Sequence, residues 1–356
     1  MRTTRRPPRV KSPVPEVVAS APTSTKAPTT APEGIVVVDK PAGWTSHDVV
    51  GRLRRLAGTR RVGHAGTLDP MATGVLVVGL GRATRLLGHI SGSDKTYAAT
   101  IRLGWATVTD DAEGGRLEGA PADGLPTEAI MAGVAALTGP IMQRPSSVSA
   151  IKVEGRRSHD RVRAGEDVEL PERPVVVSQF DVLDVRRNPT LGCTDLDVRV
   201  TCSSGTYVRA LARDLGASLG VGGHLTSLRR SRVGIFGAAQ SRTLEALAEA
   251  LDVTDLASAA RAAFPSVTLT AADANAVRYG RSIELGLAWS RARGPEGVAE
   301  FQTNADALDA VHEGTADWTE KPTPAHALFA ADGEFLALAE PKPDGSTKYL
   351  AVFSQP

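Results

Sequence analysis

The sequence predicts a mixed α/β fold built on an irregular sheet, with a smaller second unit toward the C-terminus. Three observations predict it. Strand-like and helix-like runs alternate without a regular β-α-β rhythm, which disfavours a doubly wound sheet. Hairpin-like turns separate several of the strand-like runs. From Pro265 onward a new acidic segment carries short strand-like runs of its own. A length of 356 residues allows roughly two to three domains of ~150 residues each.

Residues 1–33 hold seven prolines and six threonines and show no apolar period. Such a segment buries too little surface to offset its ordering entropy and is expected to be a disordered basic tail. Order begins at Gly34. Ile35–Val38 reads as a buried strand, and Val49, Val50, Leu53 and Leu56 then recur at helical spacing. Thr45 or Ser46 is the N-cap candidate of that helix, and Arg52, Arg54 and Arg55 occupy its other faces. Val75–Leu80 is a second buried strand, and the stretch between, 61–74, reads as a loop supported by core strands. Tyr97, Ala99, Ile101 and Leu103 alternate, as do Leu196, Val198, Val200 and Cys202, the pattern of half-buried strands. Between 207 and 219 the apolar set Val208, Leu211, Ala212, Leu215 and Leu219 returns to helical spacing. Residues 243–264 predict a helix pair, and Val267–Leu269 and Phe335–Leu338 predict strands of the last unit. The expected division is 1–33, 34–255 and 256–356.

Net charge is +1, from 41 Lys+Arg and 40 Asp+Glu, so any nucleic-acid surface is local rather than a basic coat. The tail carries +4, residues 34–252 carry +3 and residues 253–356 carry −6. Arginine outnumbers lysine 33 to 8, an excess that informs only where it falls in a motif. Cys193 and Cys202 match neither a CxxC nor a zinc spacing, and two thiols in so long a chain suit a reducing cytoplasm. No secretory h-region follows the first arginines, and no apolar run approaches the ~18 residues of a membrane span. A cytoplasmic protein is expected.

The densest chemistry lies in Gly63-His64-Ala65-Gly66-Thr67-Leu68-Asp69-Pro70-Met71-Ala72-Thr73-Gly74. Pro70 keeps Asp69 out of the helical region. An Asp before a Pro is often a helix N-cap, but three residues before Gly74 leave no room for a helix. His64 and its neighbours His47 and His89 complete no metal-binding spacing. In Ser203–Arg209, Arg209 falls in the first turn of a helix, where a cation opposes the macrodipole by ~0.3–1 kcal/mol when exposed. A carboxylate from another loop would relieve it; the alternative is a solvated surface arginine. Tyr97, in Lys95-Thr96-Tyr97, would ordinarily be a half-buried packing residue with its hydroxyl in water. Gly220–His224 lacks the order of a phosphate-binding loop.

Together these residues resemble the signature blocks of bacterial tRNA pseudouridine-55 synthases, the B-type (TruB) family. The resemblance runs through Asp39–Ser46, the 63–74 stretch, Lys95–Tyr97, Gly205–Arg209 and Gly223–Arg230 in family order, and covers roughly residues 34–240. It implies a pseudouridine-synthase fold for residues 34–255, with a mixed, largely antiparallel sheet, and a small PUA-like, RNA-contacting domain for 256–356. It also implies that Asp69 is the catalytic carboxylate, paired with Arg209. His64 would push into the tRNA T-loop, Tyr97 would stack on the flipped base and is a candidate for moving its C5 proton, and Tyr207 and Leu228 would line the pocket. Ser146 and Val148 stand where the family more often has proline and an aromatic residue, and His159 where tyrosine is common.

The implied reaction breaks N1–C1′, turns the base and joins C5 to C1′. No electrons are transferred and no phosphate is cleaved, so neither redox cofactor nor metal is required. The expected partner is the T-stem-loop of tRNA, bound by a monomer. Two other classes remain. A tRNA-folding helper is motivated by the arginine-lined stretch 52–61 and by His64. A nucleoside or glycoside hydrolase would need a second carboxylate flanking Asp69, and none stands out in these loops.

Overall fold

A computed structural model describes residues 31–148, 170–285 and 325–354, residue 161, and the backbone of two short strands at 152–153 and 156–157. The tail 1–30 and His159 lie outside the described residues. In chain order come β1 (Gly34–Lys40), α1 (Ser46–Leu56), β2 (Val62–His64), β3 (Thr73–Leu80), α2 (Leu87–Ser91) and β4 (Lys95–Leu103). They are followed by α3 (Thr127–Ala136), β5 (Gly139–Gln143), β6 (Lys152–Val153), β7 (Arg156–Arg157), β8 (Arg173–Asn188) and β9 (Cys193–Cys202). Then come α4 (Val208–Ser218), β10 (Gly223–Val233), β11 (Phe236–Gly237), α5 (Leu244–Glu249), β12 (Thr254–Asp255) and α6 (Leu256–Ala263). The last are β13 (Ser266–Thr268), α7 (Ala271–Arg278), β14 (His326–Phe329), β15 (Phe335–Pro341) and β16 (Thr347–Val352).

The main sheet runs β12-β1-β3-β10-β4-β9-β8-β5, with β2 attached to β3 and β11 to β10. Its pairings are antiparallel except β3 with β10. The sheet is therefore mixed and largely antiparallel, as expected. A second sheet, β13-β14-β15-β16, stands in the C-terminal region.

Burial explains why the strands read differently in sequence. β1 and β3 are covered on both faces: Val36, Val38, Leu76 and Val78 join one core, Ile35, Val37, Val75 and Val77 another. The second core continues through α6 into Phe329, Phe335 and Phe353 of the C-terminal region. β4 and β9 bury only one face, so Tyr97, Ala99, Ile101 and Leu103 alternate with polar neighbours. On α1, Thr45 is the N-cap in a reciprocal capping box with Asp48, and Val49, Val50 and Leu53 face the core.

One local expectation needs correcting. The 61–74 stretch is not loop throughout, because Val62–His64 pairs with Val78–Leu80 as β2. This pairing opens the sheet. The edge of β3 away from β1 meets β10 only at Thr73 and Gly74, and β2 only at its other end. Between them the carbonyls of Val75 and Val77 accept from Arg230 Nε (2.8 Å) and Ala65 N (2.9 Å). The 65–72 loop sits in the fork so formed. Closing the fork at Gly74 takes a glycine, since φ is +97° and a Cβ there would lie 2.2 Å from the Arg230 carbonyl. The Gly220–Gly223 run serves packing too: a Cβ on Gly216 of α4 would lie 2.1 Å from Gly223 N. The next residue, His224, is buried, with Nδ1 2.9 Å from the Trp105 carbonyl.

Two outcomes follow. Gly74→Ala should destabilise the fold by at least about 2 kcal/mol, read in chemical denaturation, because the φ is strained and β10 must move. Burial lowers His224 below the ordinary imidazole value of 6.5. The unfolded chain therefore binds more protons as pH falls through 6.5, and stability drops there. Thermal melts of His224→Gln should lose less stability between pH 7 and 5.5 than the unsubstituted protein. Equal slopes would refute the assignment.

Candidate active site

Asp69 is presented by the loop in the β3–β10 fork, and a network of buried donors fixes that loop. Lys40, with no exposed surface, ends β1 and donates from Nζ to the carbonyls of Pro41 (2.9 Å), Trp44 (2.6 Å) and Pro70 (3.2 Å). Burial brings its ammonium down to about 8. Ser46 Oγ accepts from Leu68 N (2.9 Å) and donates to the Leu68 carbonyl (3.2 Å). Arg230, 1% exposed, donates from Nη2 to Gly66 O (3.0 Å) and from Nη1 to Thr67 O (3.3 Å). Asp69 itself closes a turn, with Ala72 N donating to its carbonyl at 3.1 Å, and no helix follows.

The Asp69 carboxylate is gripped from α4. Arg209 Nε lies 2.9 Å from Oδ2, and Nη2 donates to Oδ1 at 3.2 Å. Such a two-point contact fixes orientation as well as charge. Arg209 is 4% exposed, which rules out a solvated surface arginine. It is held from behind: Nη1 donates to Thr109 O (2.8 Å) and lies 3.5 Å from Asp111 Oδ2, and Nη2 also donates to Val148 O (3.0 Å). Asp111 is buried, and its Oδ1 accepts from Thr109 Oγ1 (2.5 Å) and Glu113 N (3.0 Å). Its neighbour Asp110 holds the turn in the left-handed region at φ +58°, with Ser146 Oγ donating to its carboxylate at 2.6 Å. Burial raises the Asp110 carboxyl above its ordinary value.

A cleft of about 500 Å³ opens over Asp69, and His64, Tyr97, Tyr207, Arg209 and Leu228 all line it. The six residues singled out from sequence thus meet in one place. Tyr97, opposite Arg230 on β10, is 8% exposed rather than half-buried, because both neighbouring strands and Arg230 close over it. Burial raises its phenol above the ordinary value, so it is protonated at neutral pH. Tyr207 caps α4 and is held by Gln143, which accepts from its N (2.8 Å) and donates to its carbonyl (3.1 Å). The Arg173 guanidinium lies 4.9 Å from the Tyr207 ring centroid. His64 is half-buried at the end of β2, with its ring edge-on to His47 at 5.7 Å. Its Nδ1 has no hydrogen-bond partner among the described residues. Burial, with His47 and Arg230 nearby, holds it below the ordinary imidazole range.

Among the described residues the lining carries four cations, Lys95, Arg173, Arg209 and Arg230, and one carboxylate, Asp69. Lys95 Nζ donates to Ser91 O (2.8 Å) and Ser93 O (2.7 Å), and burial lowers it to about 8. Sequence reasoning missed Lys40, Arg173, Arg230 and Asp111 as parts of this site. The Asp110-Asp111 pair just beyond β4 was the available signal, since Arg209 required an acidic partner.

Two family models match the chain. One, described as TruB family pseudouridylate synthase (N terminal domain), covers residues 54–208. The other, described as tRNA pseudouridylate synthase B C-terminal domain, covers 209–263. The chain is 53% identical over 324 residues to a protein of Thermobifida fusca (strain YX) named tRNA pseudouridine synthase B, spanning 90% of this chain and 99% of that one. A protein of the same name from Paenarthrobacter aurescens (strain TC1) is 54% identical over 305 residues, spanning 86% and 90%. The fold also resembles a chain in the crystal structure of a Cbf5-Nop10-Gar1 complex, with TM-score 0.60 and 23% identity over 91% of this chain and 84% of that one. The chain belongs to the TruB family of pseudouridylate synthases, isomerases that make pseudouridine in tRNA.

Proposed function

We propose that the cleft converts uridine 55 in the T-loop of tRNA to pseudouridine, with Asp69 as the catalytic carboxylate. The observation that carries this reading is a half-exposed Asp69 gripped at two points by a buried arginine, in a cleft whose other charged groups among the described residues are all cations. A cationic cleft suits an RNA ligand. Within it, one carboxylate can stabilise a cationic sugar or add covalently to the substrate. The uracil detaches at N1, turns and reattaches through C5. The C5 proton leaves and N1 gains one, so atoms and electrons balance without a co-reactant.

The target base must first leave its stack, which costs a few kcal/mol unless side chains replace the lost contacts. His64 is suited to replacing them, since its lowered pKa keeps the ring uncharged at pH 7, fit to occupy the space of a base. Tyr97 offers a protonated phenol ring against the extruded uracil, with Tyr207 and Leu228 as further walls. Asp111 acts one step removed, as a positioning residue that holds Arg209. It is buried behind Arg209 and absent from the cleft wall, so it does not flank Asp69 as a hydrolase's second carboxylate would.

The reading extends to a cytoplasmic monomer. In support of the compartment, both cysteines are buried and unbridged. No helix among the described residues is long and apolar enough to cross a membrane.

Asp69→Asn should bind T-arm RNA and form no pseudouridine, measured by carbodiimide mapping without added cofactor. Retained turnover would remove Asp69 from its role, and release of free uracil would favour a hydrolase. Asp111→Asn should slow single-turnover isomerisation by about 100-fold through misplacement of Arg209, with the RNA dissociation constant unchanged. An unchanged rate would sever Asp111 from the site.

A further inference from the structure

Several described arginines are matched with acids: Arg102 with Asp195, Arg229 with Asp39, Arg186 with Asp197, Arg278 with Glu334. The stretch from α1 to β2 instead gathers arginines without acids. Arg52, Arg55, Arg60 and Arg61 make no ion pair and no side-chain hydrogen bond among the described residues. Arg54 makes only a long contact, 3.4 Å from Nη2 to the Val62 carbonyl. The one acid of α1, Asp48, is turned back into the N-terminal capping box, accepting from Thr45 N (2.9 Å) and Thr45 Oγ1 (2.7 Å).

Helical spacing orders part of this cluster. Positions 47, 51 and 54 share one stripe at i, i+4 and i+7, beside the buried face of Ser46, Val49, Val50 and Leu53. His47 begins the stripe against the His64 ring, and Arg54 ends it against the Val62 carbonyl, so both ends lie along β2. The stripe spans about 10 Å at the helical rise. Between its ends Gly51 is open, with no atom within 4 Å of where a Cβ would stand. An open backbone between an imidazole and a guanidinium admits a ligand that must approach closely.

We propose that this stripe, with Arg55 beside it and Arg60 and Arg61 beyond the helix end, is a phosphate track for the T-stem whose loop enters the cleft. The inference rests on the proposed tRNA substrate. Unpaired guanidinium groups on an exposed helix match a sugar-phosphate backbone better than any acidic surface of this chain, and they lead directly to the residue proposed to enter the loop. The competing account is that Arg54 and Arg55 only complement the helix macrodipole. That account moves stability and leaves RNA affinity alone.

The test is a salt series of binding to a T-arm stem-loop RNA. In the double variant Arg54→Gln/Arg55→Gln the affinity should fall several-fold, and log K against log salt should become shallower by about 1 to 2. The matched variant Arg186→Gln/Arg278→Gln, which removes equal charge from acid-paired sites, should leave the slope near that of the unsubstituted protein. Gly51→Glu, which has room for its side chain, should weaken binding more than Gly51→Gln. A slope unmoved by the first variant, or moved equally by the matched one, overturns the track. A slope shift in a protein that binds RNA but makes no pseudouridine upholds the track and sinks the reading of the cleft instead.

Discussion

The site depends on a sheet that is prevented from closing. β3 and β10 touch at two residues and then part, and the Arg230 side chain occupies the gap. A guanidinium at 1% exposure is costly unless its donors are satisfied. Here the carbonyls of Val75, Gly66 and Thr67 satisfy them, and all three lie in or beside the loop that carries Asp69. Strand edge and loop are tied by one side chain. Val75 and Gly66 could not turn to other partners without leaving a buried cation unpaired. The loop is thus held at Gly66 and Thr67 by one buried guanidinium.

Arg209 repeats that logic at the chemical centre. Its guanidinium is shared between Asp69 on the cleft side and Asp111 on the buried side, with two carbonyls taking further donors. A lone arginine at the start of a helix would be disfavoured by the macrodipole. Two carboxylates reverse that balance and leave the guanidinium no rotameric choice. Asp111 is itself placed by the strained turn at Asp110, whose φ of +58° is held by Ser146 and by Leu225 N donating to its carbonyl. Strain of this kind persists only where surrounding structure imposes it. The turn, the arginine and Asp69 form one mechanical unit drawn from three distant parts of the chain.

This explains what was legible in the sequence. β1 and β3 show as apolar runs because two cores cover them, and β4 and β9 as alternations because one does. Thr45 was readable as a cap because capping needs one residue type at one place. Asp69, His64, Tyr97, Tyr207, Arg209 and Leu228 were legible through the family's collinear blocks, and the cleft gathers all six. β2 was hidden because three residues carry too little periodicity to distinguish a strand from a loop. Tyr97 read as half-buried because a strand pattern shows which face is covered and not how deeply. Lys40 and Arg230 were hidden for a different reason. Charged residues at full burial run against every compositional expectation, and only the carbonyls they meet, contributed by remote segments, make them possible.

On the proposed reading, the same distribution separates two demands that a flipped nucleotide would make on the site. Phosphates call for charge, and the space vacated by a base calls for its absence. Fixed cations line the cleft, while the ring at its mouth, His64, is kept neutral by burial and by the neighbouring His47 and Arg230. Arg230 therefore acts twice, once by filling the fork and once by disfavouring a proton on His64. A protonated imidazole would seek phosphate, whereas a neutral one is free to stand among bases. The buried guanidinium that keeps the sheet apart thus also adds to what burial and His47 do at His64.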